Sequence, residues 1–257
     1  MDIHHRLKEL SKFLSDYSTS LMAVGVHSSR IVKTTSRIAE SFGFYVDMTI
    51  FQKTIIMTLR DKDNTHSYST VNKIKSMALN FEINSRLSSL SWEAYDEHLS
   101  LDELKEKYTE ILNKPRLNKW LVLFLVACAN ASFCRLFTGD WSAMLLVFIA
   151  TLVGFFVRQQ LMERHFNHMF VFVFSAFTAS MIACTSLLYH IGNTPEIALG
   201  TSVLYLIPGV PLINGVIDII EGHVLAGTSR LINAALLIIC IAIGLSLTLL
   251  LFGVETL

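Results

Sequence analysis

IALGTSVLYLIPGVPLINGVIDII, residues 197–220, is apolar over a length that can cross a bilayer, for which about 20 residues suffice. Pro208, Gly209 and Pro211 nevertheless stand at its centre, and Asn214, Gly215 and Asp218 follow. A helix in lipid must satisfy its own backbone hydrogen bonds, and each proline removes a donor and crowds the carbonyl one turn back. The stretch therefore predicts a spanning helix broken near mid-membrane. Broken backbone at that depth is tolerated where protein buries it or where it lines a watery cavity, and the second half-helix then offers free N–H groups to an anion. A proline-kinked structural helix accounts for the prolines alone. Asn214 and Asp218, four apart and so on one helix face, ask for more, because an ionisable residue within a span marks a path for substrate, ion or proton.

Working outward, the chain of 257 residues is 52% hydrophobic and 16% charged. Its charge is unevenly placed: most of the 21 Lys/Arg and 21 Asp/Glu precede Pro115. This predicts a membrane α-helical fold in which about five transmembrane helices are preceded by a small cytoplasmic α+β domain. Residues 1–115 form the cytoplasmic domain and 116–257 the transmembrane domain. The balanced charge of the first part, without a basic run, argues against nucleic acid or an anionic lipid surface as main partner. Met1-Asp2-Ile3-His4-His5-Arg6 has no apolar core of a signal peptide, so the first domain is expected to stay on the side where it is made.

Within residues 1–115, Leu7, Leu10, Leu14, Tyr17 and Leu21 recur at helical spacing. Ile31, Ile38 and Phe42 form a second stripe, with Ser28 or Ser29 as its cap. The period switches to two in Tyr45–Phe51 and Thr54–Arg60, before the turn Asp61-Lys62-Asp63-Asn64, with a third strand expected over Thr65–Val71. Helical spacing returns at Ile83, Leu87 and Leu90, and Ser100 with Glu103 makes a capping box for a helix ending near Asn113. Beyond Pro115 the apolar segments are Leu117–Phe137, Trp141–Val157, Met169–His190, Ile197–Ile220 and Leu231–Phe252. Lys114, Arg116 and Lys119, then Arg158 and Arg164, then Arg230 flank alternate segments, whereas the loop from Ile191 to Glu196 has no basic residue. This places the N-terminal domain in the cytoplasm and the C-terminus on the periplasmic side.

Two further constellations carry possible chemistry. Asn130, Cys134, Arg135, Asp140 and Trp141 close the first span and begin the second. They read as an interfacial Arg–Asp pair with a belt tryptophan, or equally as a gate or carboxylate clamp. Glu221, Gly222, His223, Gly227, Arg230 and Asn233 occupy what reads as the fourth loop; a solvated loop is the commoner account of such residues, and proton exchange of His223 with Asp218 or Glu221 near neutral pH is the functional one. His165 and His168 lack further ligands for a metal, and Cys128, Cys134, Cys184 and Cys240 read as small core hydrophobes, so no metal, cofactor or disulfide is expected. No nucleotide loop or hydrolase motif appears, which disfavours an ATP-driven pump and an enzyme.

Leu21–Gly43 (LMAVGVHSSRIVKTTSRIAESFG), Asn130–Ala143 (NASFCRLFTGDWSA) and Ile207–Arg230 (IPGVPLINGVIDIIEGHVLAGTSR) resemble the threonine/serine exporter (ThrE) family. The likeness covers almost the whole chain, which in length and layout is similar to the split, YjjP-like branch of that family. The resemblance implies an inner-membrane, multi-pass secondary exporter driven by the proton gradient, for threonine and serine or, in the split branch, succinate. It also implies a missing second set of spans, supplied by a small integral membrane protein of about four or five spans or by self-association. The family's turn reads Gly-Gly-Asp-Trp where this chain has Thr138-Gly139-Asp140-Trp141, a departure that bears on how that turn closes.

Together these readings predict a subunit of an exporter for small carboxylate-bearing metabolites. Pro208, Gly209 and Pro211 open the half-helix that holds the carboxylate, Asn214 orients it, and Asn130 and Arg135 add contacts. Asp218, with His223 and Glu221, carries the coupling proton, while Gly139, Asp140, Trp141 and Arg230 form gate or turn. A membrane sensor or anchor with a ligand-binding cytoplasmic domain stays open as the alternative.

Overall fold

The computed structural model describes residues 3–74, 79–115 and 117–253. Its contacts group the chain into two units, one of residues 1–115 with 210–232, the other of 116–209 with 233–257.

In the first unit, α1 (Ile3–Ala23) buries the stripe Leu7, Leu10, Leu14, Tyr17 and Leu21. The Tyr17 hydroxyl, deep in this core, donates to the Leu87 carbonyl at 2.8 Å, so the ring is buried without an orphaned polar atom. Gly25, at φ +94°, ends α1, and the N–H groups of Gly25 and Val26 return to the carbonyls of Met22 and Leu21. Helix α2 (Ser28–Ser41) follows at once. Its N-cap is His27, which makes no side-chain cap bond, and Ser28 is already helical. Neither expected serine is the cap.

Strands β1 (Tyr45–Ile50), β2 (Thr54–Arg60) and β3 (Ser67–Lys73) form an antiparallel sheet in sequence order. Ile55, Met57 and Leu59 face the core while Ile56 faces out, as a period of two requires. The third strand begins at Ser67 rather than Thr65, because Thr65 and His66 close the preceding turn. The Asp61 carboxylate takes the Thr65 hydroxyl at 2.7 Å and the His66 N–H at 3.2 Å. Helix α3 (Phe81–Asp96) is capped by the Asn80 side chain, and α4 (Leu101–Leu112) by the expected box of Ser100 and Glu103.

The second unit packs α5 (Lys119–Leu136), α6 (Trp141–Glu163), α7 (His168–Leu188) and the short α8 (Pro195–Thr201), followed by a 3-10 turn at Leu204–Leu206. α6 extends beyond Val157, so Arg158 is a helical residue rather than a loop residue, its guanidinium over the rings of Phe155 and Phe172. Lipid gives helices no hydrophobic reason to associate, so small residues and polar pairs hold them. A Cβ on Gly154 would strike the Ala179 Cβ at 2.9 Å, and one on Gly244 the Val173 carbonyl at 2.5 Å. Ser180 and Thr248 share a hydrogen bond of 2.6 Å.

Helix α9 (Gly209–Ile220) starts after the interruption at Ile207 and Pro208, and α10 (Val224–Phe252) completes the chain. Pro211 falls in the first turn of α9, where a missing N–H breaks no intrahelical bond. Among the described residues, four helices are long and apolar enough to cross a membrane, α5, α6, α7 and α10, and a fifth span results if α8 and α9 count as one broken span.

Candidate functional site

Helices α9 and α10 form a tight hairpin. Gly222, at φ +89°, ends α9, with its own N–H on the Ile219 carbonyl and the His223 N–H on the Asp218 carbonyl at 2.7 Å. Gly215 and Gly227 face each other, and a Cβ on Gly227 would lie 2.6 Å from the Gly215 carbonyl. The expected fourth loop is therefore only this turn. Gly227, Arg230 and Asn233 lie on α10, which begins at Val224 rather than Leu231, because the glycine turn is satisfied by α9 itself.

The polar face of this hairpin binds the connector between α1 and α2. Asp218 is fully buried. One carboxylate oxygen accepts the Ser28 backbone N–H at 2.7 Å, and the other takes the Ser28 hydroxyl at 3.0 Å and the Arg230 Nε at 3.2 Å. Arg230, whose side chain is 12% exposed, also donates to the Val26 carbonyl at 3.1 Å. Asn214 donates to the Gly25 carbonyl at 2.7 Å. Glu221 lies 3.2 Å from His27 Nδ1, within ion-pair range but out of line for a hydrogen bond, and 4.0 Å from Lys33 Nζ. Gly25, Val26, His27 and Ser28 are thus each met by a different side chain. Desolvating two charges costs several kcal/mol per ion, an outlay that the Asp218–Arg230 pair offsets because both groups are also hydrogen-bonded.

Beside this clasp lies a cavity of about 450 Å³, bordered by Met22 and Gly25 at the end of α1, Gln52 and Lys53 in the β1–β2 turn, and Pro211, Asn214 and Arg230 on the hairpin. Its size suits a small metabolite. Apolar side chains, among them Ile74, Leu79 and Val210, make up the rest of its wall.

Pro211, Asn214, Asp218, Glu221, His223 and Arg230 therefore come together within one unit. Pro208 lies in the interruption before them, and Gly209 opens α9. Asn130, Arg135, Gly139, Asp140 and Trp141 belong to the other unit and make their contacts there. Buried Asn130 donates to Thr151 Oγ1 at 2.6 Å and to the Thr201 carbonyl at 3.1 Å. Arg135 is not paired with Asp140, contrary to the interfacial pair expected. It donates to the Gly139 carbonyl at 3.0 Å and lies 5.5 Å from the Trp141 ring. Asp140 caps α6 through the Ala143 N–H at 2.7 Å and takes the Asn193 N–H at 2.5 Å, and these two N–H groups hold its pKa down to about 2.

The turn before it follows from Thr138, which stands at φ +68°. Its N–H and that of Gly139 return to Arg135 and Cys134, so a β-branched residue occupies the left-handed position that normally falls to glycine. A Cβ on Gly139 would lie 2.8 Å from the Cys134 carbonyl. The turn closes tightly despite Thr138.

Sequence reasoning missed His27 and Ser28 as partners of the hairpin, and Gln52 and Lys53 as cavity residues. The signal for the first two was the family likeness of Leu21–Gly43, which spans the end of α1, the connector and α2. Nothing local marks Gln52 or Lys53.

Several apolar helices and a buried, paired carboxylate next to an interrupted apolar segment define a multi-span membrane protein of the transporter class. The chain matches the family described as "Putative threonine/serine exporter" over residues 12–252, and it belongs to that family. It is 30% identical over 237 residues to "Probable succinate transporter subunit YjjP" of Escherichia coli (strain K12), covering 91% of each chain. The protein of the same name in Klebsiella aerogenes is likewise 30% identical, with 91% of each chain covered. The "Probable threonine/serine exporter" of Mycobacterium tuberculosis is 21% identical over 89% of this chain but only 44% of its own length. No solved structure matches the chain.

Proposed function

We propose that this chain is one subunit of an inner-membrane secondary exporter for small carboxylate-bearing metabolites, succinate or threonine and serine, powered by the proton gradient. A small integral membrane protein of the same family completes it. The name of the relatives, a transporter subunit, and the likeness to less than half of a longer exporter support this division of labour. In this reading residues 1–115 are cytoplasmic and the C-terminus lies on the other side.

The observation that carries the reading is the pairing of Asp218 with Arg230 at the border of the cavity. The substrate carboxylate enters beside Pro211, with Pro208 and Gly209 leaving the start of α9 open, and Asn214 orients it. A proton on Asp218 removes the attraction that holds Arg230, so proton occupancy governs whether that guanidinium is available to an anion. Glu221 with His27, and His223 in the turn, lie on the route to Asp218. Asn130 and Arg135, with the turn of Gly139, Asp140 and Trp141, shape the membrane helices through which the substrate leaves.

The test is efflux of labelled succinate, threonine and serine from preloaded inverted and right-side-out vesicles, with the chain alone and with its small partner. Gradient-dependent efflux of one of them, reduced at least tenfold by Asp218→Asn, is expected only with both proteins. Absence of efflux in every combination would favour a sensor or anchor, and unchanged coupled efflux by Asp218→Asn would remove the proton role.

A further inference from the structure

We propose that Lys53, in the turn between β1 and β2, is a specificity-determining residue that contacts the second carboxylate of a dicarboxylate held in the cavity. The proposal rests on the exporter reading for its biological setting, but its physical basis is the composition of the cavity wall. Among the described residues that wall contains two cations, Lys53 and Arg230, and no Asp or Glu. Arg230 is already matched by Asp218 at 3.2 Å. Lys53 is exposed and takes part in no ion pair among the described residues, so on the described part of the wall its charge is matched by no side chain.

The position of Lys53 is set by its neighbours rather than by its own side chain. Its carbonyl accepts the Ile74 N–H at 3.0 Å. Adjacent Gln52 accepts the Ser229 hydroxyl at 2.9 Å, which ties the turn to α10. The turn is thereby fixed in the wall of the cavity that Asn214 also lines, while the ammonium keeps the reach of a flexible four-carbon stem.

A dicarboxylate meets an amide and a guanidinium at one end and the ammonium of Lys53 at the other. An amino acid with one carboxylate brings its own ammonium into a wall with no acidic partner, next to Lys53. A monocarboxylate leaves Lys53 unmatched. The sheet domain therefore supplies the discrimination and the α9–α10 hairpin the common carboxylate contact. One charge-assisted contact corresponds to about tenfold in affinity.

The experiment is calorimetric titration of the purified full chain in lipid nanodiscs with succinate, butyrate and threonine. It compares wild type with Lys53→Gln and Lys53→Arg, and runs the efflux assay on the same variants with the small partner. Wild type is expected to prefer succinate over the other two about tenfold, Lys53→Gln to lose that preference, and Lys53→Arg to keep it. A preference that survives in Lys53→Gln, or a wild-type chain that binds none of the three or all equally, overturns the assignment. The two readings fail separately. Lys53-dependent binding without gradient-driven efflux supports Lys53 and removes the exporter reading, whereas efflux with selectivity indifferent to Lys53 removes only Lys53.

Discussion

Asp218 accepts a 2.7 Å hydrogen bond from the backbone N–H of Ser28, a residue 190 positions earlier in the chain. A carboxylate from an apolar helix thereby completes the first turn of α2, where backbone donors have no intrahelical partner and negative charge is favoured. With Arg230 behind it, Asp218 ties α2 to the α9–α10 hairpin.

Removing that carboxylate leaves Arg230 with a buried charge and no acid. Asp218→Ala is expected to lower stability by roughly 3–5 kcal/mol, the range for breaking a buried pair from one side. Replacing Arg230 by Met in the same chain is expected to recover part of the loss. Thermal unfolding of the four members of the cycle in one detergent measures the coupling, and additive losses would show that the pair contributes nothing as a pair.

Gly227→Ala places a methyl carbon 2.6 Å from the Gly215 carbonyl. Backbone cannot yield as a flexible side chain can, so the hairpin must open, at a cost of about 1–3 kcal/mol. A cysteine cross-linking rate between α9 and α10 that is unaltered by this substitution would contradict the close approach.

Thr138→Gly is expected to stabilise the chain. The residue stands at φ +68°, which costs an L side chain roughly 1–2 kcal/mol. Glycine removes that strain but gains freedom in the unfolded chain, leaving a net gain of up to about 1 kcal/mol. The melting temperature is the readout, and a fall would show that the threonine side chain contributes more than its backbone costs.

Asp61 governs acid sensitivity of the β2–β3 turn. The Thr65 hydroxyl, then the His66 N–H, hold its pKa down to about 2, against 3.8 for an ordinary Asp. A depressed folded pKa gives stability that is fully present above the unfolded value and is lost as pH falls through the folded one. Amide exchange over residues 61–67 is therefore expected to be slower in wild type than in Asp61→Asn at pH 5, with the difference vanishing as pH falls from about 4 toward 2. A difference independent of pH would mean that the turn does not depend on the charge.

Much of the fold is legible along the chain. The stripe of α1, the alternation of β1 and β2, the box at Ser100 and the break before α9 all arise from neighbours within a few residues, where propensity and hydrogen-bond satisfaction act. Boundaries moved where a turn was stabilised by its own side chains, as at Thr65, or by a glycine, as at Gly222. Arg230 was placed in a loop for the same reason, since a helix that starts after a two-bond glycine turn looks like a loop until its bonds are seen.

The sequence by itself determined that the chain crosses a membrane, that one apolar segment is interrupted, and that Asn214 and Asp218 share a face, because lipid length, proline geometry and helix period are local constraints. Only the tertiary structure decided what that face meets. It brings Gly25, Val26 and Ser28 to the hairpin and Lys53 to the cavity, since hydrogen bonds and charges act through space and the spacing of residues along one helix says nothing about a partner almost two hundred residues away.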